Sequence, residues 1–275
     1  VTIRVDAHHH VWRLVRGDYG WLTPDLPIHR DYGLEDLRPL LGDITATILV
    51  QAAPTEAETR FLLETARSSS GLVRGVVGWA NLTAPDAADR IMAAAADPLL
   101  RGLRPMLQDI EETGWILRSD VQPALRAMAR AGLRFDALIQ PRHLPMLPSL
   151  AQRHPTLPIV IDHGAKPFIA RGLLQPWADQ IAAVARLTPA VCKLSGLVTE
   201  AAPQWTTADL RPYVDHLLAC FGPERLMWGS DWPVVNLAGG HTRWRVATEA
   251  LLADLSAGER DRIMGGTALR FYGLT

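Results

Sequence analysis

Asp6-Ala7-His8-His9-His10 follows a short apolar start, and Gly229-Ser230-Asp231-Trp232-Pro233 follows a second short apolar run some 220 residues later. In an extended strand, residues two apart point to the same face, so His8 and His10 present paired imidazoles. The later stretch offers one carboxylate, Asp231, at a strand end. Paired histidines near the start and a lone acid near the end meet only if the chain closes on itself. An eight-fold α/β barrel does that. The pairing predicts a fold and an active site together.

The sequence between the two stretches alternates. Short β-branched or apolar runs predict strands at about 3–8, 45–51, 72–79, 101–106, 133–139, 157–163, 190–195 and 225–230. Helical patterns fall near 34–41, 55–69, 85–96, 119–131, 142–153, 172–187, 206–221, 242–254 and 256–271. Pro85 with Asp86, Ser119 with Asp120 and Thr206 with Thr207 are start signals. Gly71, Gly132 and Gly222 stand where helices should stop. Continuous apolar runs such as Ile159-Val160-Ile161 suit strands covered on both faces. Eight strands alternating with helices make a parallel barrel or an open doubly wound sheet. No Gly-x-Gly-x-x-Gly follows any strand, which removes the best sign of the open, nucleotide-binding form. The prediction is a distorted (β/α)8 TIM-type barrel, with residues 1–275 as a single domain. The Trp-, Tyr- and Pro-rich stretch 11–33 is long for a βα loop and is expected to cap the barrel mouth.

Composition narrows the function. The 275 residues suit one barrel, and 48% hydrophobic with 21% charged residues is ordinary for a protein with a large core. A net charge of −1 gives no global field for nucleic acid or anionic lipid. No apolar run approaches the roughly 20 residues of a spanning helix. The start shows no secretory pattern, and the expectation is a cytoplasmic enzyme. Assembly into a homo-oligomer is left open. Cys192 and Cys220 read as small buried hydrophobes rather than a disulfide frame. Lys166 and Lys193 are the only lysines among 28 basic residues, and both fall at predicted strand ends.

Chemistry in such a barrel sits at the C-terminal ends of the strands. Those ends carry, in order, His8 and His10; Gln51; Trp79 and Asn81; Arg104, Gln108 and Asp109; Gln140, Arg142 and His143; Asp162-His163 with Lys166; Lys193 with Ser195 and Glu200; and Ser230-Asp231-Trp232. Each has a structural alternative. His8, His10 and His163 could be satisfied core imidazoles, Asp231 could cap an Asx turn, and Arg104 could be a rim ion-pair partner. Trp12, Trp79 and Trp232 could be rim packing, although aromatic faces also suit a sugar or lactone ring. Lys193 is harder to dismiss, because a buried lysine is costly unless paired. His143 belongs to the first turn of a helix, and His29, His154, His216 and His241 read as surface or loop residues. The three consecutive histidines follow a strand rather than a flexible terminus, so they do not read as a tag. The alternatives weaken together because the polar groups share one rim.

These segments resemble the amidohydrolase superfamily, and within it the amidohydrolase-related sugar-lactone hydrolases of the L-fuconolactonase and L-rhamnonolactonase type. The resemblance rests on Asp6-Ala7-His8-His9-His10-Val11-Trp12, Leu49-Val50-Gln51-Ala52, Gly102-Leu103-Arg104, Ile161-Asp162-His163-Gly164-Ala165-Lys166-Pro167, the run Cys192–Ala201 and the run Phe221–Pro233. They span the whole chain in order, and the last two are the most specific. The resemblance implies hydrolysis of a lactone ester. It also implies metal ligands: His8, His10, His163 and Asp231 match the superfamily pattern. Arg104 stands where a bridging lysine would be expected, and Gln140 where a further histidine would be. That pattern argues for one divalent ion, Zn2+, rather than two. The same branch also implies a metal-independent option.

The chemistry expected is an Asp231-activated water, with His163, His8 and His10, or the metal they hold, polarising the carbonyl. Gln51, Arg104, Gln108, Asp109, Lys193 and Trp232 are the candidate contacts to a hydroxyl-rich sugar lactone. Ser195 and Ser230 lack a nucleophile-elbow context and an evident base, which argues against covalent catalysis. If Lys193 or Arg104 binds a carboxylate, the alternative is a dicarboxylate lactone of the pyrone type. A second alternative is Zn-dependent decarboxylation of an aromatic acid, and a third is sugar binding without turnover.

Overall fold

A computed structural model describes residues 3–274. Eight strands form one parallel sheet in chain order: β1 Arg4–His9, β2 Ile44–Val50, β3 Val73–Gly78, β4 Leu100–Leu103, β5 Arg134–Ala137, β6 Ile159–Ile161, β7 Val191–Leu194 and β8 Leu226–Trp228. Around it run α1 Leu34–Leu37, α2 Glu56–Arg67, α3 Ala87–Ala94, α4 Gln122–Arg130, α5 Leu147–Arg153, α6 Trp177–Leu187, α7 Thr207–Phe221, α8 Gly240–Leu251, α9 Ala257–Asp261 and α10 Thr267–Tyr272. This is the expected (β/α)8 architecture.

The seam between β8 and β1 is irregular, and the predicted site forms it. The Asp231 amide donates to His8 O at 2.8 Å, and the His10 amide to Trp232 O at 2.7 Å. The Ser230 amide donates to Asp6 Oδ1 at 2.8 Å. The two stretches that predicted closure are therefore the residues that make it.

Several strands are shorter than predicted, for local reasons. β4 ends before Pro105, which has no N–H to donate to a ladder. β6 ends at Ile161 because His163 and Gly164 turn to φ 54° and 56°. Prolines also break the helix predicted over 142–153. Its first part is a 3-10 turn over Pro141–Met146 containing Pro145, and the α-helical part begins at Leu147. The last predicted helix splits around a π turn over Arg262–Gly266. There Gly265 lies so close to β1 that a Cβ would stand 2.2 Å from Ile3 O, so only glycine fits.

Most apolar side chains form one cluster between sheet and helices. A smaller cluster draws Val5, Ile48, Val77, Val160, Val191 and Met227 from six strands, together with Tyr272 of α10. Side chains from strands all round a barrel meet only inside it, so this cluster fills the interior and Tyr272 plugs it. Cys192 is buried and Cys220 half-buried, and both are free. His154 and His241 were read as surface or loop residues; both are buried, His154 just past the end of α5 and His241 within α8. His154 has an amide partner there, Gln122 Oε1 at 2.8 Å. His241 instead packs edge-on against Trp228.

Candidate active site

Asp231 is the hub of the rim. Its Oδ1 lies 3.3 Å from His10 Nε2, 3.7 Å from His8 Nε2 and 3.9 Å from His163 Nε2. The sequence-predicted quartet thus converges on one carboxylate oxygen, and all four side chains are buried. Two members sit in left-handed backbone that disfavours L-residues, His163 at φ 54° and Asp231 at φ 57°. Such conformations persist where the surroundings over-determine them, and they cluster at functional sites. Gly196, at φ +60°, provides part of that fit. A Cβ there would lie 2.4 Å from His163 Nδ1.

Each imidazole is oriented from behind. His10 Nδ1 lies 2.8 Å from Val50 O. A carbonyl only accepts, so Nδ1 carries the proton. Nε2, when neutral, then turns a lone pair toward the Asp231 carboxylate. Two acceptors so close in a buried site repel unless a proton or a metal ion lies between them. His163 Nδ1 is 2.9 Å from Ser195 Oγ. The sequence showed no base partner for Ser195. The structure supplies this one, but the hydroxyl is fully buried and does not line the cleft, so it orients the imidazole. Burial lowers His163 to about 4 and takes His8 well below its ordinary value, Lys193 adding to the second effect. Burial alone would raise Asp231; the pull of His163 and the His10 contact hold it below the usual carboxylate range.

Beneath the quartet lies a sealed ionic layer. Lys193 Nζ is 2.6 Å from Asp136 Oδ2, 3.1 Å from Asp162 Oδ1 and 3.1 Å from His8 Nδ1. Arg104 reaches Asp162 Oδ2 at 3.2 Å and His8 Nε2 at 3.3 Å. Tyr272 donates its hydroxyl to Asp136 Oδ2 at 2.6 Å. Burial opposes ionisation of Asp162, but Lys193, with His8 and Arg104, keeps it well below its ordinary value.

Above the quartet opens a cleft of about 320 Å3. Its polar lining includes His10, Arg104, Gln108, Asp109, His163 and Asp231. Lys166 and Thr199 join them, and the apolar lining is Trp21, Leu26, Met106, Leu138, Val234 and Leu237. Among the expected substrate contacts, Arg104, Gln108 and Asp109 reach the cleft. Gln51, Lys193 and Trp232 do not. The Gln51 amide donates to Arg104 O at 2.7 Å, Lys193 is consumed by the ionic layer, and Trp232 packs edge-on against Tyr32. Trp12 and Trp79 also lie outside. The aromatic face at the mouth belongs instead to Trp21, whose indole N–H donates to Ala52 O at 2.7 Å. It comes from the 11–33 stretch, which does lie over the mouth. No periodicity marks a single tryptophan in such a loop, so only its neighbourhood was legible.

The donor set suits a divalent ion. Bonds of about 2.0–2.1 Å from a tetrahedral zinc place its ligands about 3.3 Å apart, near the spacings around Asp231. His8, His163 and Asp231 bring three ligand atoms within 4.8 Å of one another, and His10 stands outside that trio, touching Asp231 from the side. The guanidinium of Arg104 beside His8 Nε2 is a competitor for that position.

The chain also resembles known proteins. An amidohydrolase family model matches residues 5–274. An L-fucono-1,5-lactonase of Burkholderia ambifaria is 43% identical, covering 99% of this chain and 96% of that protein. One from Burkholderia multivorans is 38% identical over 99% and 97%. A crystal structure of a B. multivorans amidohydrolase with bound zinc superposes with a TM-score of 0.91 at 36% identity, over 99% of this chain and 100% of that one. The chain belongs to the amidohydrolase family.

Proposed function

We propose that this protein hydrolyses the ester bond of a neutral sugar lactone, with L-fucono-1,5-lactone the first compound to try. The observation that carries the reading is the charge state of the cleft above Asp231. Both cations that line it are already paired: Arg104 with Asp162 at 3.2 Å and Lys166 with Glu200 at 3.4 Å. Asp109 and Asp231 add negative charge. A dicarboxylate would meet two carboxylates there, and cations that each already hold a carboxylate partner, so the pyrone-type alternative is disfavoured. The same argument weighs against an aromatic acid. A neutral, hydroxyl-rich ring meets both hydrogen-bonding groups and apolar surface, Trp21 included, in the same cleft.

In this reading the ionised Asp231 carboxylate takes a proton from water as its oxygen attacks the lactone carbonyl. Charge gathers on the carbonyl oxygen, where buried imidazole and guanidinium donors are worth more than in water. With the Ser195 hydroxyl donating to Nδ1, His163 presents its proton from Nε2, and Arg104 stands beside it. Protonated Asp231 then returns the proton to the departing ring oxygen, giving the aldonic acid. His8, His10, His163 and Asp231 would hold one divalent ion, Zn2+ by its ligand types, which supplies Lewis-acid polarisation of the carbonyl. In the metal-independent form the imidazoles supply that stabilisation as hydrogen-bond donors.

Among the described residues no helix is long and apolar enough to cross a membrane. A cytoplasmic, small-molecule enzyme is part of the same proposal. A pH-indicator screen of the 1,4- and 1,5-lactones of L-fuconic, L-galactonic, L-rhamnonic and D-arabinonic acids tests it. Turnover of at least one is expected. Hydrolysis of none, with proton release from a dicarboxylate lactone, would overturn it.

A further inference from the structure

Arg142 lies just past β5, at an exposed position outside the cleft, yet its guanidinium spends every donor it has. Nε donates to Gln140 Oε1 at 3.2 Å, within its own turn. Nη1 donates to Glu111 O at 3.1 Å and Thr113 Oγ1 at 2.8 Å. Nη2 donates to Gln108 O at 3.3 Å and Ile110 O at 2.8 Å. Arginine carries five N–H donors in a rigid fork, and all five are used. Four of the acceptors belong to the loop after β4, which has only short 3-10 turns to order it.

That loop carries Gln108 and Asp109 into the cleft. The Gln108 backbone is held at both its N–H and its C=O. Its N–H donates to Leu138 O at 3.1 Å, and its C=O accepts from Arg142. The turn that bears Arg142 is itself set by the Gln140 amide, which donates to His143 Nδ1 at 3.1 Å.

We infer that Arg142 is a positioning residue for substrate binding: it clamps the loop after β4 onto the end of β5 and so fixes Gln108 and Asp109 against the substrate. The inference rests on the lactonase reading for what those two side chains touch. It does not rest on it for the clamp. Lysine offers three donors from one point and cannot span the same acceptors, so the role is specific to arginine.

The test uses the full chain with Arg142→Met and Arg142→Lys, measured by hydrogen exchange and lactone kinetics. In Arg142→Met, amides of 106–114 should exchange at least tenfold faster while those of the barrel strands stay as in wild type. KM should rise about tenfold with kcat within twofold, the pattern of lost ground-state and transition-state binding alike. Arg142→Lys should recover part of both effects. Unchanged exchange in 106–114 would overturn the clamp. Faster exchange across the whole barrel would make the role one of global stability and overturn it too. A loosened loop with unchanged KM would overturn the link to substrate. If wild type hydrolyses no lactone, the functional reading fails, and the exchange measurement still decides the clamp.

Discussion

Lys193 Nζ and Asp136 Oδ2 lie 2.6 Å apart, and neither residue has any exposed surface. Asp136 also accepts from Tyr272, so β5, β7 and the last helix meet at one carboxylate. Removing one partner of a buried pair strands the other charge, at a cost of about 3–5 kcal/mol. Lys193→Met should lower the denaturant-derived stability by about that amount. Unchanged stability with a raised KM would instead return Lys193 to the substrate contacts expected from its place at a strand end.

Asp231→Asn keeps size and most packing while removing the base. A positioned general base contributes about 10^2–10^4-fold. The variant should lose kcat within that range, with a far-ultraviolet spectrum and melting profile like wild type. Turnover within a factor of a few of wild type would remove Asp231 from the proton-transfer role.

The barrel was legible because its signals are periodic: apolar runs, helix starts and stopping glycines recur in alternation. The closure was legible because His8, His10 and Asp231 are costly groups at strand ends. Depth was not legible. Lys193 and Arg104 both stand at strand ends, but only the fold shows that one is sealed beneath the quartet and the other reaches the cleft. Asp136 sits mid-strand between Phe135 and Ala137, and its partner lies 57 residues on, so no local pattern flags it. Trp21 and the Arg142 clamp act from irregular segments, where sequence carries no period to read.

The 3.3 Å approach of His10 Nε2 to Asp231 Oδ1 has a consequence for metal binding. Chelator-treated protein should take up about one Zn2+ per chain, measured by elemental analysis after gel filtration. His10→Gln and Asp231→Asn should weaken that uptake at least about tenfold in competition with a chelating dye. Equal affinity in both variants would place the ion elsewhere. Full turnover of zinc-free wild type would leave the imidazoles as hydrogen-bond donors.

Glu58 ties the mouth-covering stretch to the barrel and should make stability depend on pH. Its Oε2 accepts from the Tyr19 hydroxyl at 2.7 Å, and its Oε1 from the Ala52 amide at 3.1 Å, with Arg16 at 3.4 Å. Burial raises its carboxyl from 4.5 to about 7, only partly offset by the Tyr19 and Ala52 hydrogen bonds and by Arg16. The folded state therefore binds this proton more tightly than the unfolded state does. Between pH 4.5 and about 7 the unfolded chain has released it while the folded chain still holds it, so stability falls as pH rises through that window and levels off above it. The whole effect is on the order of 3 kcal/mol. Asp6, raised to about 6 mainly by burial, slopes the same way, so the contrast with a variant isolates Glu58. Glu58→Gln keeps an acceptor for the Ala52 amide and has nothing to titrate. Unfolding free energies at pH 5 and pH 8 should differ less in Glu58→Gln than in wild type, by about that amount. An identical difference in both proteins would mean that Glu58 is already ionised at the lower pH.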